Sequence, residues 1–342
     1  MRGPLMKPTA LAASGLAVIA TLTVMLLLGP RPITVGTHAT GDASVSSALR
    51  NNAEPGHNDL AAFFLDNGDV RFGGLDADEH TEFEIGSITK TFNAELLRQQ
   101  IASGDITLAT TVGELIDVPG APIADVTMEE LANHTAGLSS VPAELSSSRL
   151  PVVLFHGNPY REATADEIIS HAGDAELKNR GQRNYSNYGH ALLGQLLARN
   201  ANVSYEELLR TSILEPAGMD ETYLATSGSG EYSSRGLGLQ GRTVEPWDMD
   251  GWAPAGAIRS TPADMAKYAQ WVADHCRPEY GWSHREIGGT EYTFHNGGTG
   301  GFRTMLLWSP DGEDAVFVAN SSSMWVDGLA VDLLEELEGT DK

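Results

Sequence analysis

The sequence predicts an α+β fold: one antiparallel sheet built from both chain ends, with a helical subdomain inserted between them. Three observations predict it. A hairpin signal opens the folded part, a strand–turn–strand–helix series closes it, and the stretch between has mainly helical periodicity. The opening hairpin is Leu60-Ala61-Ala62-Phe63-Phe64-Leu65, then Asp66-Asn67-Gly68-Asp69, then Val70-Arg71-Phe72. An Asn-Gly pair between β-prone runs suits a tight two-residue turn. A helix beginning at Ser87 runs through Phe92, Leu96 and Leu97 and stops near Gly104, a helix-ending residue. Thr127 and Glu130 are spaced as a capping box. Helical patterns follow from Tyr188 to Asn200 and from Tyr205 to Ile213. Thr261 caps another, with Pro262 at its first position and its body reaching Trp271. At the far end Arg303–Trp308 and Ala315–Ala319 flank Ser309-Pro310-Asp311-Gly312, which suits a type I turn. A last helix spans about Met324 to Glu338, with Leu329, Leu333, Leu334 and Leu337 at helical spacing.

The formal net charge of -24 argues against nucleic acid as a partner, because phosphates need a basic surface. It argues equally against a broad electrostatic hold on anionic lipid. Arg2 and Lys7 precede an apolar run from Thr9 to Gly29, close to the roughly 20 residues that span a bilayer. Residues 1–29 therefore read as a signal anchor or signal peptide, the length favouring an anchor. Membrane contact is expected through this segment only, and the rest is expected outside the cytoplasm. Residues 30–58, rich in Thr, Ser, Ala, Gly and Asn, read as a flexible linker. Residues 59–342 read as the folded domain. The one cysteine, Cys276, allows no internal disulfide and reads as a small hydrophobe at a helix end.

Ser87 and Lys90 form Ser-x-x-Lys, and positions i and i+3 share a helix face. A hydroxyl and an amine are thus held side by side, as a serine nucleophile and its base require. Alone, Ser87 reads equally well as a helix cap and Lys90 as a solvated lysine. Two further segments change that weight. Tyr185-Ser186-Asn187 stands directly before a helix, and His295-Asn296-Gly297-Gly298-Thr299-Gly300-Gly301-Phe302-Arg303 directly before a strand. Ser-x-x-Lys, Tyr-x-Asn and His-x-Gly in this order resemble the serine β-lactamase and penicillin-binding superfamily, on its class C and D-alanyl-D-alanine carboxypeptidase branch. Leu131–Leu138 and Ala253–Thr261 also match that pattern.

The resemblance implies a β-lactamase-like fold over about residues 60–335, with Ser87 as the acylated nucleophile. Lys90 and Tyr185 would share the general-base work. An ordinary lysine, with pKa near 10.4, is a poor base at neutral pH, so one of the two must be tuned. The spacing does not say which. Asn187 would bind the substrate's amide carbonyl, and the N–H groups of Ser87 and Gly298 would form the oxyanion hole. Glycines here, Gly297 among them, would let a substrate backbone lie close to the strand. His295 stands where β-lactamases carry the lysine of Lys-Thr-Gly, a variant that resembles carboxypeptidases, D-amino-acid peptidases and esterases of the superfamily. As a weaker cation it would hold a substrate carboxylate less firmly than lysine. Arg303 is a second carboxylate partner by chemistry, though an exposed strand arginine is an equal reading.

The expected activity is hydrolysis of a D-alanyl peptide or related amide or ester, through an acyl-enzyme. The partner is a small-molecule or peptide substrate, cell-wall peptide included. A β-lactamase, a carboxylesterase and a non-turnover penicillin sensor are the rivals. No cofactor is expected. No metal is expected either, since the histidines lack paired helical spacing. Gly236-Leu237-Gly238-Leu239-Gln240-Gly241 matches a dinucleotide-binding pattern but lacks the strand before and helix after it. No Gly-x-Ser-x-Gly elbow frames Ser87.

Overall fold

A computed structural model describes residues 23, 29–145, 157–160, 163–275, 277–287 and 289–340. The rest of the N-terminal apolar run and Cys276 lie outside the described residues. Among the described residues no helix is long and apolar enough to cross a membrane.

The strands in chain order are β1 (Ala39–Gly41), β2 (Leu60–Asp66), β3 (Asp69–Leu75), β4 (Phe83–Glu84), β5 (Tyr223–Leu224), β6 (Ile258–Ser260), β7 (Ser283–Ile287), β8 (Thr290–Gly298), β9 (Arg303–Trp308) and β10 (Ala315–Asn320). Seven form one sheet in the order β1-β3-β2-β10-β9-β8-β7, and β4-β6-β5 form a small second sheet. Every pairing within the large sheet is antiparallel. Leu60 pairs with Asn320 and Leu65 with Ala315, so the two ends of the chain meet at the sheet's centre. The β2–β3 hairpin turns on Asn67 (φ 47) and Gly68 (φ 94), both left-handed, as its Asn-Gly sequence dictates.

Side chains alternate across a strand, so the buried strands feed two cores. On one face Ala61, Phe63, Leu65, Leu306, Trp308 and Phe317 pack against the helical subdomain. On the other, Leu60, Ala62, Phe64, Leu307, Val316 and Val318 pack against Val45, Leu49, Leu333 and Leu334 of two helices. Those helices are Ala43–Asn52 and Asp327–Thr340.

The first of them corrects the reading of residues 30–58 as a flexible linker. Ala39–Gly41 is a strand of the sheet, and Ala43–Asn52 is a helix capped by Asp42, whose side chain accepts from the N–H groups of Ser44 and Val45. The stretch orders because Val45, Ala48 and Leu49 are fully buried, a tertiary gain that its serine-rich composition conceals. Even its first residues are tied down. Arg31 N–H donates to Gln240 O at 2.8 Å, and the Arg242 guanidinium donates to Gly29 O at 2.9 Å.

Candidate active site

Ser87 lies in a short 3₁₀ turn, Gly86–Ile88, that feeds the helix Thr89–Ser103. It does not cap that helix, whose first turn takes no side-chain bond from the capping position. Gly86 makes the turn possible. Its φ is +52, and a Cβ there would meet Gly298 N at 2.6 Å. Only glycine allows both the conformation and that approach. The turn therefore presses the backbone at Gly86 and Ser87 against the end of β8.

Ser87 Oγ accepts from the Tyr185 hydroxyl at 2.6 Å and lies 2.9 Å from Lys90 Nζ. Lys90 is fully buried, and its amine also donates to Ala255 O at 2.5 Å. Burial alone holds its pKa well below the ordinary lysine value. Tyr185 moves the other way. Desolvation of its hydroxyl raises the phenol pKa, although the residue as a whole is 36 % exposed. The two candidate bases are thus pushed apart: the amine toward its neutral form, the phenol toward its protonated form.

Tyr185 is held from both sides in sequence. Asn184 Nδ2 donates to Leu138 O at 3.0 Å. Ser186 caps the helix Asn187–Asn200 by accepting from Gly189 N–H, and its own N–H donates to His134 Nδ1 at 3.1 Å. The His134 ring packs 4.5 Å from the Tyr185 ring and 4.7 Å from that of His190. His134 and His190 are both buried, and burial lowers both pKa values below the usual imidazole range. The sequence offers His134 only within the Leu131–Leu138 match and gives no signal for His190. Their role comes from burial, and no spacing rule encodes it.

A cavity of about 290 Å³ opens over Ser87. Asn187, Gly298, Thr299 and Arg303 line it, with Tyr160, Tyr185, Trp247 and Trp325 as aromatic walls. Asn187 Nδ2 donates to the Tyr160 hydroxyl at 3.0 Å. The buried Arg259 pairs with Glu84 at 2.8 Å and Glu82 at 2.7 Å. Glu84 in turn accepts from the N–H of Trp247 at 3.0 Å, so this ion cluster fixes one wall.

Gly297 and His295 fall elsewhere. Gly297 packs on Ile85 O, where a Cβ would overlap the carbonyl, so its close approach is to the protein's own backbone. His295 is 4 % exposed and lines a separate recess with His134, Arg183 and Trp282. Its Nδ1 bonds Asn296 O at 2.8 Å, and burial lowers its pKa to about 3. A neutral imidazole facing that recess is not a cation offered to the cavity. Arg303, a strand arginine in the sequence, is the guanidinium that does line it. The 236–241 glycine run is a loop, with Leu237 bridging to Thr243 and Ser322, and no helix follows it.

A family model described as Beta-lactamase matches residues 50–330. A Beta-lactamase of Providencia stuartii is 27% identical over 198 residues, covering 56% of this chain and 47% of that protein. The chain spans about half the length of the curated relatives it matches. The class C beta lactamase from Rhodobacter sphaeroides superimposes with a TM-score of 0.70 at 17% identity, over 88% of this chain and 99% of its own. The Beta-Lactamase/D-Alanine Carboxypeptidase from Pseudomonas syringae gives 0.71 at 15% identity, with the same coverages.

Proposed function

The chain belongs to the beta-lactamase family of serine hydrolases, and we propose that it is an exported hydrolase cleaving D-alanyl peptides or related amides and esters through an acyl-enzyme on Ser87. The observation that carries this reading is the two-sided bonding of one hydroxyl, Ser87 Oγ, by Lys90 and Tyr185.

The directions of the two pKa shifts order the chemistry. A neutral Lys90 accepts the Ser87 proton as Oγ attacks the substrate carbonyl. Tyr185 donates to Oγ and relays the proton: its own passes to the departing amine or alcohol, and the Lys90 ammonium returns the Ser87 proton to it, so the phenol and the neutral amine are both restored. The tetrahedral oxyanion is assigned to the N–H groups of Ser87 and Gly298, which the Gly86 turn brings together. Asn187 is assigned to the acyl-side amide. Water then attacks the ester with Lys90, neutral again, as base, and the proton it takes passes to Ser87 Oγ as the acid leaves. Export is proposed from the apolar run that ends at Gly29.

A second reading, β-lactam hydrolysis, is supported by the names of the relatives. Intact-mass spectrometry of the full chain with a D-alanyl-D-alanine peptide, a short ester and benzylpenicillin tests both. A transient acyl adduct on Ser87 with peptide or ester, and slower release of penicillin, is expected. Ser87→Ala should form no adduct and lose on the order of 10³-fold or more in rate. Full activity in that variant would remove Ser87 from the reaction.

A further inference from the structure

We propose that the loop 235–243, with Leu239 at its tip, is a lipid-contacting surface that seats the folded domain directly on a bilayer. This rests on the export reading of the apolar run and deepens it, adding a second membrane contact to the one the run supplies. The tip is a tight turn, closed by Gly241 N–H donating to Gly238 O at 2.8 Å and Gly238 N–H donating to Arg242 O at 2.9 Å. Leu239 and Gln240 are its two central residues, and Leu239 is 88 % exposed. A lone exposed leucine is ordinary; what adjoins this one gives it a task.

The apolar run ends on this loop. The carbonyl of Gly29, its last residue, accepts from the Arg242 guanidinium at 2.9 and 3.2 Å. Two residues on, Arg31 N–H donates to Gln240 O at 2.8 Å. Gly241 (φ +64) permits the approach, since a Cβ there would stand 2.1 Å from Arg31 O. The domain therefore starts where the run ends. The polar layer on each side of a bilayer's hydrocarbon core is about 5–8 Å deep. A run that crosses the core delivers Gly29, and the loop bonded to it, into that layer, where the exposed Leu239 meets lipid. Arg31 and Arg235 are exposed, and residues 235–243 include two arginines and no acid. Arginines at that depth meet headgroup phosphates, although the chain as a whole carries -24.

The same loop braces the cavity above Ser87. Gly236 lies against Gly301, where a Cβ would meet Gly301 O at 2.3 Å. Leu237 N–H donates to Ser321 O, and Ser323 N–H donates to Leu237 O, both at 2.9 Å. The first contact adjoins the segment carrying Thr299 and the second the segment carrying Trp325, both of which line the cavity. Lipid contact at Leu239 thus holds the cavity at a fixed height over the bilayer, with no tether on which it could swing. The turn between β9 and β10 closes the opposite end of those strands, six residues and about 20 Å from the Ser321 end. Glu313 is exposed in that turn.

The test uses the full chain with Cys276→Ser, so that one introduced cysteine carries an environment-sensitive fluorophore: Leu239→Cys on the loop or Glu313→Cys at the far turn. Each protein is reconstituted into vesicles of phosphatidylcholine and phosphatidylglycerol that hold a spin-labelled lipid as quencher. An interfacial side chain sits about 5–10 Å deep, so the 239 label should blue-shift and lose about half or more of its emission. The 313 label should do neither. Arg242→Ala, which frees Gly29 from the loop, should bring the 239 signal toward the 313 value with the protein still on the vesicles. Flotation after a carbonate wash reports the anchor separately. Protein lost from the vesicles would overturn the anchor reading and the loop contact with it. Retained protein whose 239 label is quenched no more than the 313 label would overturn the loop contact alone.

Discussion

A hydroxyl flanked by an amine and a phenol can lose its proton to either, and burial decides between them. Lys90 sits fully buried with no carboxylate among the described residues to stabilise its charge, so its pKa falls. Tyr185 is desolvated without a strong cation against its oxygen, so its pKa rises. The pH dependence follows in sign. The protonated amine is inactive as a base, so kcat/KM should rise with pH through the lowered Lys90 pKa and then level off. No falling limb from Tyr185 is expected below pH 10, where its phenol keeps its proton. A profile that climbs only above pH 10 would transfer the base role to the tyrosinate. A pH series on any ester that acylates Ser87 measures this. The serine, lysine and tyrosine were legible in the sequence because each lies in a short motif whose spacing survives the fold. His134 and His190 were not, since a histidine's task here depends on the residues that bury it.

Between elements, the site depends on how closely a turn can approach a strand. Gly297 meets Ile85 O with no space for a methyl group, and the Thr304 hydroxyl also donates to that carbonyl at 3.0 Å. Gly297→Ala should push β8 away from the turn that carries Ser87. A stability loss of about 1–3 kcal/mol in urea denaturation is expected, with a larger fractional loss of acylation rate. Wild-type values for both would show that the contact is slack. The hairpin at Asn67-Gly68 and the helix ending at Gly104 were legible because their turn chemistry is local. The helix Ala43–Asn52 was not, because only Val45, Ala48 and Leu49 bind it to the core. The strands β4, β5 and β6 are two or three residues long, too short to show a period.

Across the whole molecule, three buried histidines lie around the candidate site: His134, His190 and His295. Each has its pKa lowered by burial. The unfolded chain takes up these protons near pH 6.5 and the folded protein does not. Stability is therefore complete above pH 6.5 and falls as the pH drops toward the folded values. For His295, with its pKa at about 3, the loss at pH 4.5 is on the order of 2–3 kcal/mol. Calorimetry from pH 7 to 4.5 should show a steadily falling Tm, with a shallower slope in His295→Gln. A flat Tm across that range would mean the imidazoles are solvated. The overall α+β plan was legible because both sheet-forming ends carry strong turn signals.

The pairing of Leu60 with Asn320 also sets an order of events. The sheet's central seam joins strands made near the start and near the end of synthesis, a topology of high contact order that folds slowly. Ser87 emerges early, yet Gly298 emerges late and β10 later still. On the proposed reading, until then the nascent chain carries a nucleophile with no oxyanion partner and no core to desolvate its lysine. Catalytic competence is therefore a property of the finished chain, and a chain passing through a membrane pore unfolded would arrive chemically silent and assemble its reactivity on the far side.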